Sequence, residues 1–303
     1  MSRPHGSDGV RAGSAAESIY IQVLRMLPRK ALSQAVGRLA DTRIPPPLRE
    51  TVYTTFAAQF GVNVDEAELP MSSYTSVNAF FTRRLRPGVR PINSDAGCVV
   101  SPVDARLSQF GVISGGEMVQ AKGRTFQVGD LLQDPDDADR FRGGHYATLY
   151  LSPKDYHRIH FPAPGSIQGY RYHPGHLWPV NAASVNHVDQ LFCVNERVTV
   201  FMDAFDEVPM AVILVGATCV GRMSLSFDRL LTNVPGCRAE RVRYEGGKQV
   251  DRGAELGMFH LGSTVVMLIG RDSGFSFDDG LVKGEMMQLG QKLGWVSASR
   301  PTG

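Results

Sequence analysis

The stretch FHLGSTVVMLIG, residues 259–270, decides how the rest of the chain is read. Val265 to Ile269 is an unbroken apolar run of strand length, rich in β-branched residues, and reads as a strand buried on both faces. A small polar step, Gly262-Ser263-Thr264, stands at its head. Gly262 carries no side chain, so another group can approach its carbonyl closely. The hydroxyl of Ser263 is a potential nucleophile toward that same carbonyl. A β-bulge with a solvent-facing serine would look the same at this level.

Outward from that strand the chain is β-rich and glycine-punctuated from about residue 97. Ala147–Leu151 reads as a strand, and Arg197–Asp203 and Met210–Thr218 as a hairpin closed through Phe205-Asp206-Glu207. The first 60 residues have a different texture. Ile19, Tyr20, Val23, Leu24 and Leu27 recur at helical spacing, as do Ala31, Leu32, Ala35, Val36 and Leu39 after Pro28. A third segment, 48–60, carries Val52, Tyr53, Phe56 and Phe60 and stops before Gly61. The fold class is therefore α+β: amphipathic helices followed by a predominantly antiparallel β core. The expected units are a disordered polar tail over 1–15, a helical arm over 16–62 and a β-rich catalytic domain over 63–303.

The bulk numbers exclude several classes. The chain has 303 residues, 43% hydrophobic and 20% charged, with a net charge of +2, so its total charge gives no argument for a nucleic-acid partner. The apolar runs are too short to span a bilayer, and no signal-peptide core follows the first charges. Cys98, Cys193, Cys219 and Cys237 are widely spaced without a CxxC, which reads as reduced thiols and no zinc site. From residue 3 to 43 there are seven basic and three acidic residues. Composition leaves two readings of the arm open: helices packed on the core, or a net-basic amphipathic face lying on an anionic membrane.

Two further stretches carry chemistry. In Ser152-Pro153-Lys154-Asp155-Tyr156-His157-Arg158-Ile159-His160, Ser152 and Asp155 suggest a capping box opening a short helix, with His157 and His160 one turn apart. Two histidines so placed suit acid/base work or a metal pair, though no third metal ligand is evident. In Ser101-Pro102-Val103-Asp104-Ala105, Asp104 is a turn residue or a carboxylate that orients a histidine.

Together these stretches resemble the phosphatidylserine decarboxylases, pyruvoyl-dependent enzymes made as self-cleaving proenzymes. The likeness runs from about residue 17 to 293. It includes SVNAFFTRRLRPGVRPI at 76–92, SPVDARLSQFG at 101–111, QAKGRTFQVGDLL at 120–132 and YLSPKDYHRIHFPAPG at 150–165. YHPGHLWPVN at 172–181, NERV at 195–198, VGATCVG at 215–221 and ELGMFHLGSTVVML at 255–268 follow in order. The helical arm is similar to that of the longer bacterial form, and Ala105 departs from a usual glycine.

The resemblance implies cleavage of the Gly262–Ser263 bond into a β chain of 1–262 and an α chain of 263–303. Ser263 becomes the pyruvoyl cofactor, His160 acts as base toward it, and Asp104 orients His160. His157 then assists decarboxylation of phosphatidylserine to phosphatidylethanolamine through a Schiff base. It further implies a homodimer, peripheral on the cytoplasmic face of the inner membrane, in phospholipid biosynthesis. Two rival readings remain: a pyruvoyl decarboxylase of a soluble amino acid, and a membrane-binding relative that never processes.

Overall fold

A computed structural model describes residues 15–121, 123–218 and 222–297. Its frame is an eight-stranded sheet in the spatial order Glu240–Val250, Gly165–His173, Arg197–Ala204, Val208–Val215, Thr264–Ile269, His145–Tyr150, Ala105–Val112 and Met286–Met287. Every neighbouring pair is antiparallel. The expected core strand is thus real, runs Thr264–Ile269, and is buried along its whole length between two partners. Successive side chains of a strand point to opposite faces, so this run feeds two cores. Val265, Met267 and Ile269 pack with Leu107, Leu149 and Phe259. Val266 and Leu268 pack on the other side with Ile213, Tyr146 and Phe192.

The register sets where the Gly-Ser step falls. Thr264 pairs with Val215 and Tyr150, each the last residue of its own strand. Ser263 therefore lies one residue past the end of the ladder. On its other side, Glu255–Phe259 belongs to a separate three-stranded sheet with Met223–Leu225 and Arg158–His160. Residues 260–263 carry the chain from one sheet to the other, and Gly262–Ser263 lies in that crossing.

The hairpin through Phe205-Asp206-Glu207 is present, with strand ends at Ala204 and Val208. Phe205 and Asp206 take left-handed φ of 52° and 67°, the twist that tight hairpins favour.

The arm forms three helices: α1 Ala15–Met26, α2 Arg29–Asp41 and α3 Pro46–Phe60. Proline opens α3, and Gly61 closes it at a left-handed φ of 73°. The arm packs on the core through one face of α1. Ile21 and Leu24 of α1 are buried with Val266 and Trp178, and Arg29 stacks 3.7 Å over Trp178. The opposite face is bare: Ile19 is 61% exposed, Val23 52% and Met26 84%. Helix α3 builds a separate cluster from Tyr53, Ala57, Tyr74 and Phe80. No helix among the described residues is long and apolar enough to cross a membrane. The tail expected over 1–15 lies, except for Ala15, outside the described residues.

Met267 is fully buried at the middle of the central strand. In a chain that cannot cleave, Met267→Ala is expected to cost about 2–5 kcal/mol, read from the urea midpoint. A loss below about 1 kcal/mol would show that this strand does not anchor the core.

Candidate active site

Ser263 is fully buried and held from both flanks. The backbone N–H of Leu151 donates to its carbonyl at 2.9 Å. Its hydroxyl donates to the carbonyl of Val215 and accepts from the N–H of Thr264 at 2.6 Å. Both partners sit at the ends of the strands that flank Thr264–Ile269, so the pleat itself positions the serine. The solvent-facing serine of a simple bulge is not what forms.

His157 stands beside the Gly262–Ser263 step. A side-chain carbon built on Gly262 would lie 3.3 Å from its Nε2, a tight contact that glycine avoids. The ring is fully buried and packs, tilted by 41°, against Phe81 at 4.0 Å between centroids. Its Nδ1 lies 2.7 Å from the carbonyl of Asp155. A carbonyl only accepts, so Nδ1 carries the proton and Nε2 presents a lone pair. That Nε2 has no hydrogen-bond partner among the described residues. Burial pulls the imidazole down to about 3, and the charge of Arg83 acts the same way, so the ring is neutral at physiological pH.

His160 is elsewhere in the site. Its Nδ1 donates to the carbonyl of Gly253 at 2.8 Å, and its Nε2 lies 3.3 Å from the hydroxyl of Tyr156. The short helix expected from Ser152 does not form. Ser152 and Asp155 do meet, but not as a reciprocal capping box: Ser152 N–H and hydroxyl both donate to Asp155 Oδ2 at 2.7 Å, and Asp155 N–H donates to the Ser152 carbonyl at 3.0 Å. That contact closes a turn, and Arg158–His160 then pairs with Glu255–Met258 as a strand. Pairing in a sheet overrides a local helix signal. The histidines accordingly meet different groups, His157 beside Gly262 and His160 beside Gly253 and Tyr156, where a helix would have put them on one face.

Asp104 does not hydrogen-bond His160. Arg90 grips it: Nε lies 2.9 Å from Oδ1 and Nη2 2.7 Å from Oδ2, while Leu289 N–H donates to Oδ1 at 2.8 Å. Arg90 reaches Glu66 as well, at 2.8 Å. The guanidinium fork matches a carboxylate edge, which an imidazole cannot do twice over. Asp104 still lies close: His160 N–H bonds the carbonyl of Pro102, two residues earlier, and the Asp104 charge favours protonated His160 against the larger effect of burial. Arg90 and Tyr156 lie in quoted blocks, but their spacing gave no role.

The crossing segment also touches the arm. His260 lies 3.2 Å from Asn78 Nδ2, which donates to Asp41 at the end of α2, and Arg222 pairs with Asp41 at 2.5 Å. On the other side a cavity of about 610 Å³ reaches Thr264. Val180, Val185 and Phe192 give it apolar walls, Arg106 and Lys283 give it cations. The hydroxyls of Thr148 and Thr264, which line it, are buried without partners among the described residues. Tyr20 of α1 bonds Asn181 at its wall.

Residues 77–295 match the sequence profile of phosphatidylserine decarboxylase. The chain belongs to the phosphatidylserine decarboxylase family. The phosphatidylserine decarboxylase proenzyme of Myxococcus xanthus is 40% identical over 281 residues, covering 93% of this chain and 99% of that protein. The proenzyme of Anaeromyxobacter sp. is 44% identical, covering 92% and 98%. That of Brevibacillus brevis is 36% identical, covering 89% and 95%. The likeness thus spans the arm as well as the decarboxylase core.

The buried histidines of this family member carry a pH signature. Burial holds His157 at about 3 and both His173 and His260 at about 4, against about 6.5 in an unfolded chain. Above pH 6.5 both states leave them neutral. As pH falls from there to about 4, the unfolded chain takes up protons the folded chain refuses, so stability falls. Asp155 and Glu196, raised by burial, oppose this. The melting temperature of a Ser263→Ala chain should be flat above pH 7 and decline from pH 6.5 to 4, with a shallower decline in His173→Gln. A flat profile down to pH 4.5 would contradict it.

Proposed function

We propose that this chain is a phosphatidylserine decarboxylase made as a proenzyme that cuts itself between Gly262 and Ser263. The observation that carries the reading is the Gly-Ser step pinned at the end of the central strand, with an imidazole lone pair against Gly262. Full-length similarity to curated proenzymes supplies the reaction and its substrate.

In the self-cleavage, Ser263 Oγ attacks the carbonyl carbon of Gly262 and the Gly262–Ser263 amide becomes an ester. The base accepts the hydroxyl proton and returns it to the freed amine. Elimination of the Gly262 carboxylate leaves an unsaturated residue at 263, and water then replaces its nitrogen, releasing ammonia. The new N-terminus is a pyruvoyl group.

The surroundings fit that group: position 263 is buried, anchored through its own carbonyl, and flanked by a neutral histidine. Once formed, a pyruvoyl supplies an electrophilic ketone and an electron sink that no side chain offers. The enzyme is then a pyruvoyl-dependent carboxy-lyase that converts phosphatidylserine to phosphatidylethanolamine. The strand Thr264–Ile269 keeps the α chain of 263–303 attached through its burial in two cores.

By resemblance, His160 serves self-cleavage with Asp104 orienting it, and His157 assists decarboxylation; with Asp104 held by Arg90, its influence on His160 here is through charge. A second reading is favoured by one contact: His157 Nε2, not His160, lies beside Gly262, which suits it as the base for cleavage. The cavity at Thr264 admits the headgroup, with Arg106 and Lys283 toward its phosphate. The bare face of α1, with Arg25, Lys30 and Arg38 close in the chain, docks on an anionic bilayer at the cytoplasmic face of the inner membrane. Homodimerisation belongs to the same reading.

Intact-mass spectrometry under denaturing conditions should show two chains divided at 262/263, the smaller one blocked by a pyruvoyl group. Ser263→Ala should stay whole and inactive; cleaved protein in that variant would end the mechanism. His157→Ala separates the two assignments: cleavage retained with decarboxylation lost supports the first, and an intact chain supports the second. Turnover of phosphatidylserine vesicles, set against free amino acids, separates the lipid enzyme from a soluble one.

A further inference from the structure

Arg83 is only 4% exposed, and it has no carboxylate within ion-pair distance among the described residues. Its Nε and Nη1 are buried without a hydrogen-bond partner there. Among the described residues its one hydrogen bond is a long one, Nη2 to the carbonyl of Lys154 at 3.4 Å, and its Cζ lies 5.4 Å from the Phe80 ring centroid. The two other arginines as deeply buried are fully engaged. Arg171 pairs with Asp134 and Asp137, and Arg197 donates to the carbonyls of Asp130, Leu131, Cys193 and Asn195. The acids nearest in charge to Arg83, Glu66 and Asp104, are both taken by Arg90.

A buried cation without a counter-ion costs several kcal/mol, and its orphan donors add to that. Burial accordingly lowers the Arg83 pKa. Its position makes the cost meaningful. The segment of Phe81 to Arg83 lies against the turn that carries His157: Phe81 packs against the His157 ring, Arg83 meets Lys154, and Thr82 accepts from Arg158. His157 in turn faces Gly262.

We propose that Arg83 is the carboxylate-binding group of the active site, left uncompensated in the uncleaved chain and neutralised by a carboxylate that arrives beside His157. The inference rests on the functional reading above, which offers two such carboxylates. One is the carboxylate of phosphatidylserine itself, which must be recognised before it leaves as carbon dioxide. The other is the C-terminal carboxylate that cleavage creates on Gly262. Either would place two acceptor oxygens within the guanidinium fork and satisfy the orphan N–H groups.

The test uses the full chain with Arg83→Met, which keeps the apolar stem, and Arg83→Lys, which keeps the charge without the fork. In a Ser263→Ala background, Arg83→Met should leave the melting temperature unchanged or raise it; a fall of several degrees would make Arg83 a structural strut and overturn the proposal. In the self-cleaved enzyme, a KM for phosphatidylserine raised about tenfold or more by Arg83→Met, with a smaller rise in Arg83→Lys, assigns the lipid carboxylate. Inhibition by phosphatidylethanolamine, which lacks that group, should then stay within about twofold. Loss of the 263–303 chain on size-exclusion chromatography at unchanged KM assigns the Gly262 carboxylate instead. Unchanged KM together with full chain retention overturns the inference. A parent chain that cleaves yet leaves phosphatidylserine intact sinks the functional reading alone, since melting and chain retention are read without substrate.

Discussion

The structure turns on how Ser263 is held. Leu151 takes its carbonyl from one side and Val215 takes its hydroxyl from the other. Both contacts follow from antiparallel pairing, which brings the ends of three strands level at Thr264, Val215 and Tyr150. The Gly262–Ser263 peptide therefore lies just outside a rigid ladder, where the backbone is fixed by its neighbours but no longer committed to a full set of sheet hydrogen bonds. A serine in a free loop would have the same chemistry without the geometry.

Charge is distributed around that point with economy. His157, the histidine beside Gly262, is kept neutral by burial, and its tautomer is set by one carbonyl. Asp104 is instead locked to Arg90, whose guanidinium also reaches Glu66 and so bridges the two carboxylates. Arg83 is the exception, a buried cation with donors to spare next to the histidine. The helical arm is tied into the same region, since Asp41, Asn78 and His260 link the end of α2 to the crossing that contains Gly262.

Much of this was legible in the residues, and the parts that were not share a cause. The central strand, the hairpin through 205–207 and the three arm helices announced themselves by periodicity and by Pro and Gly punctuation. The edge strand Glu240–Val250 did not, because it is mostly exposed and charged and carries Gly246 and Gly247. Gly165–His173 hid for the opposite reason: Arg171 is buried there by Asp134 and Asp137, partners over thirty residues away. The helix suggested at Ser152 rested on a real Ser152–Asp155 contact, but the following residues gain more from the strand at Glu255–Phe259.

By itself the sequence determined the α+β class and marked the Gly262–Ser263 step, Asp104, His157 and His160 as the residues with chemistry to offer. Those are properties of local pattern and of residue chemistry, which a chain carries whether folded or not. Only the tertiary structure decided which histidine faces Gly262, which arginine occupies Asp104 and which arginine is left without a partner. Each depends on side chains far apart in sequence meeting in a low-dielectric interior, where one contact excludes another and an unmet charge has no water to turn to.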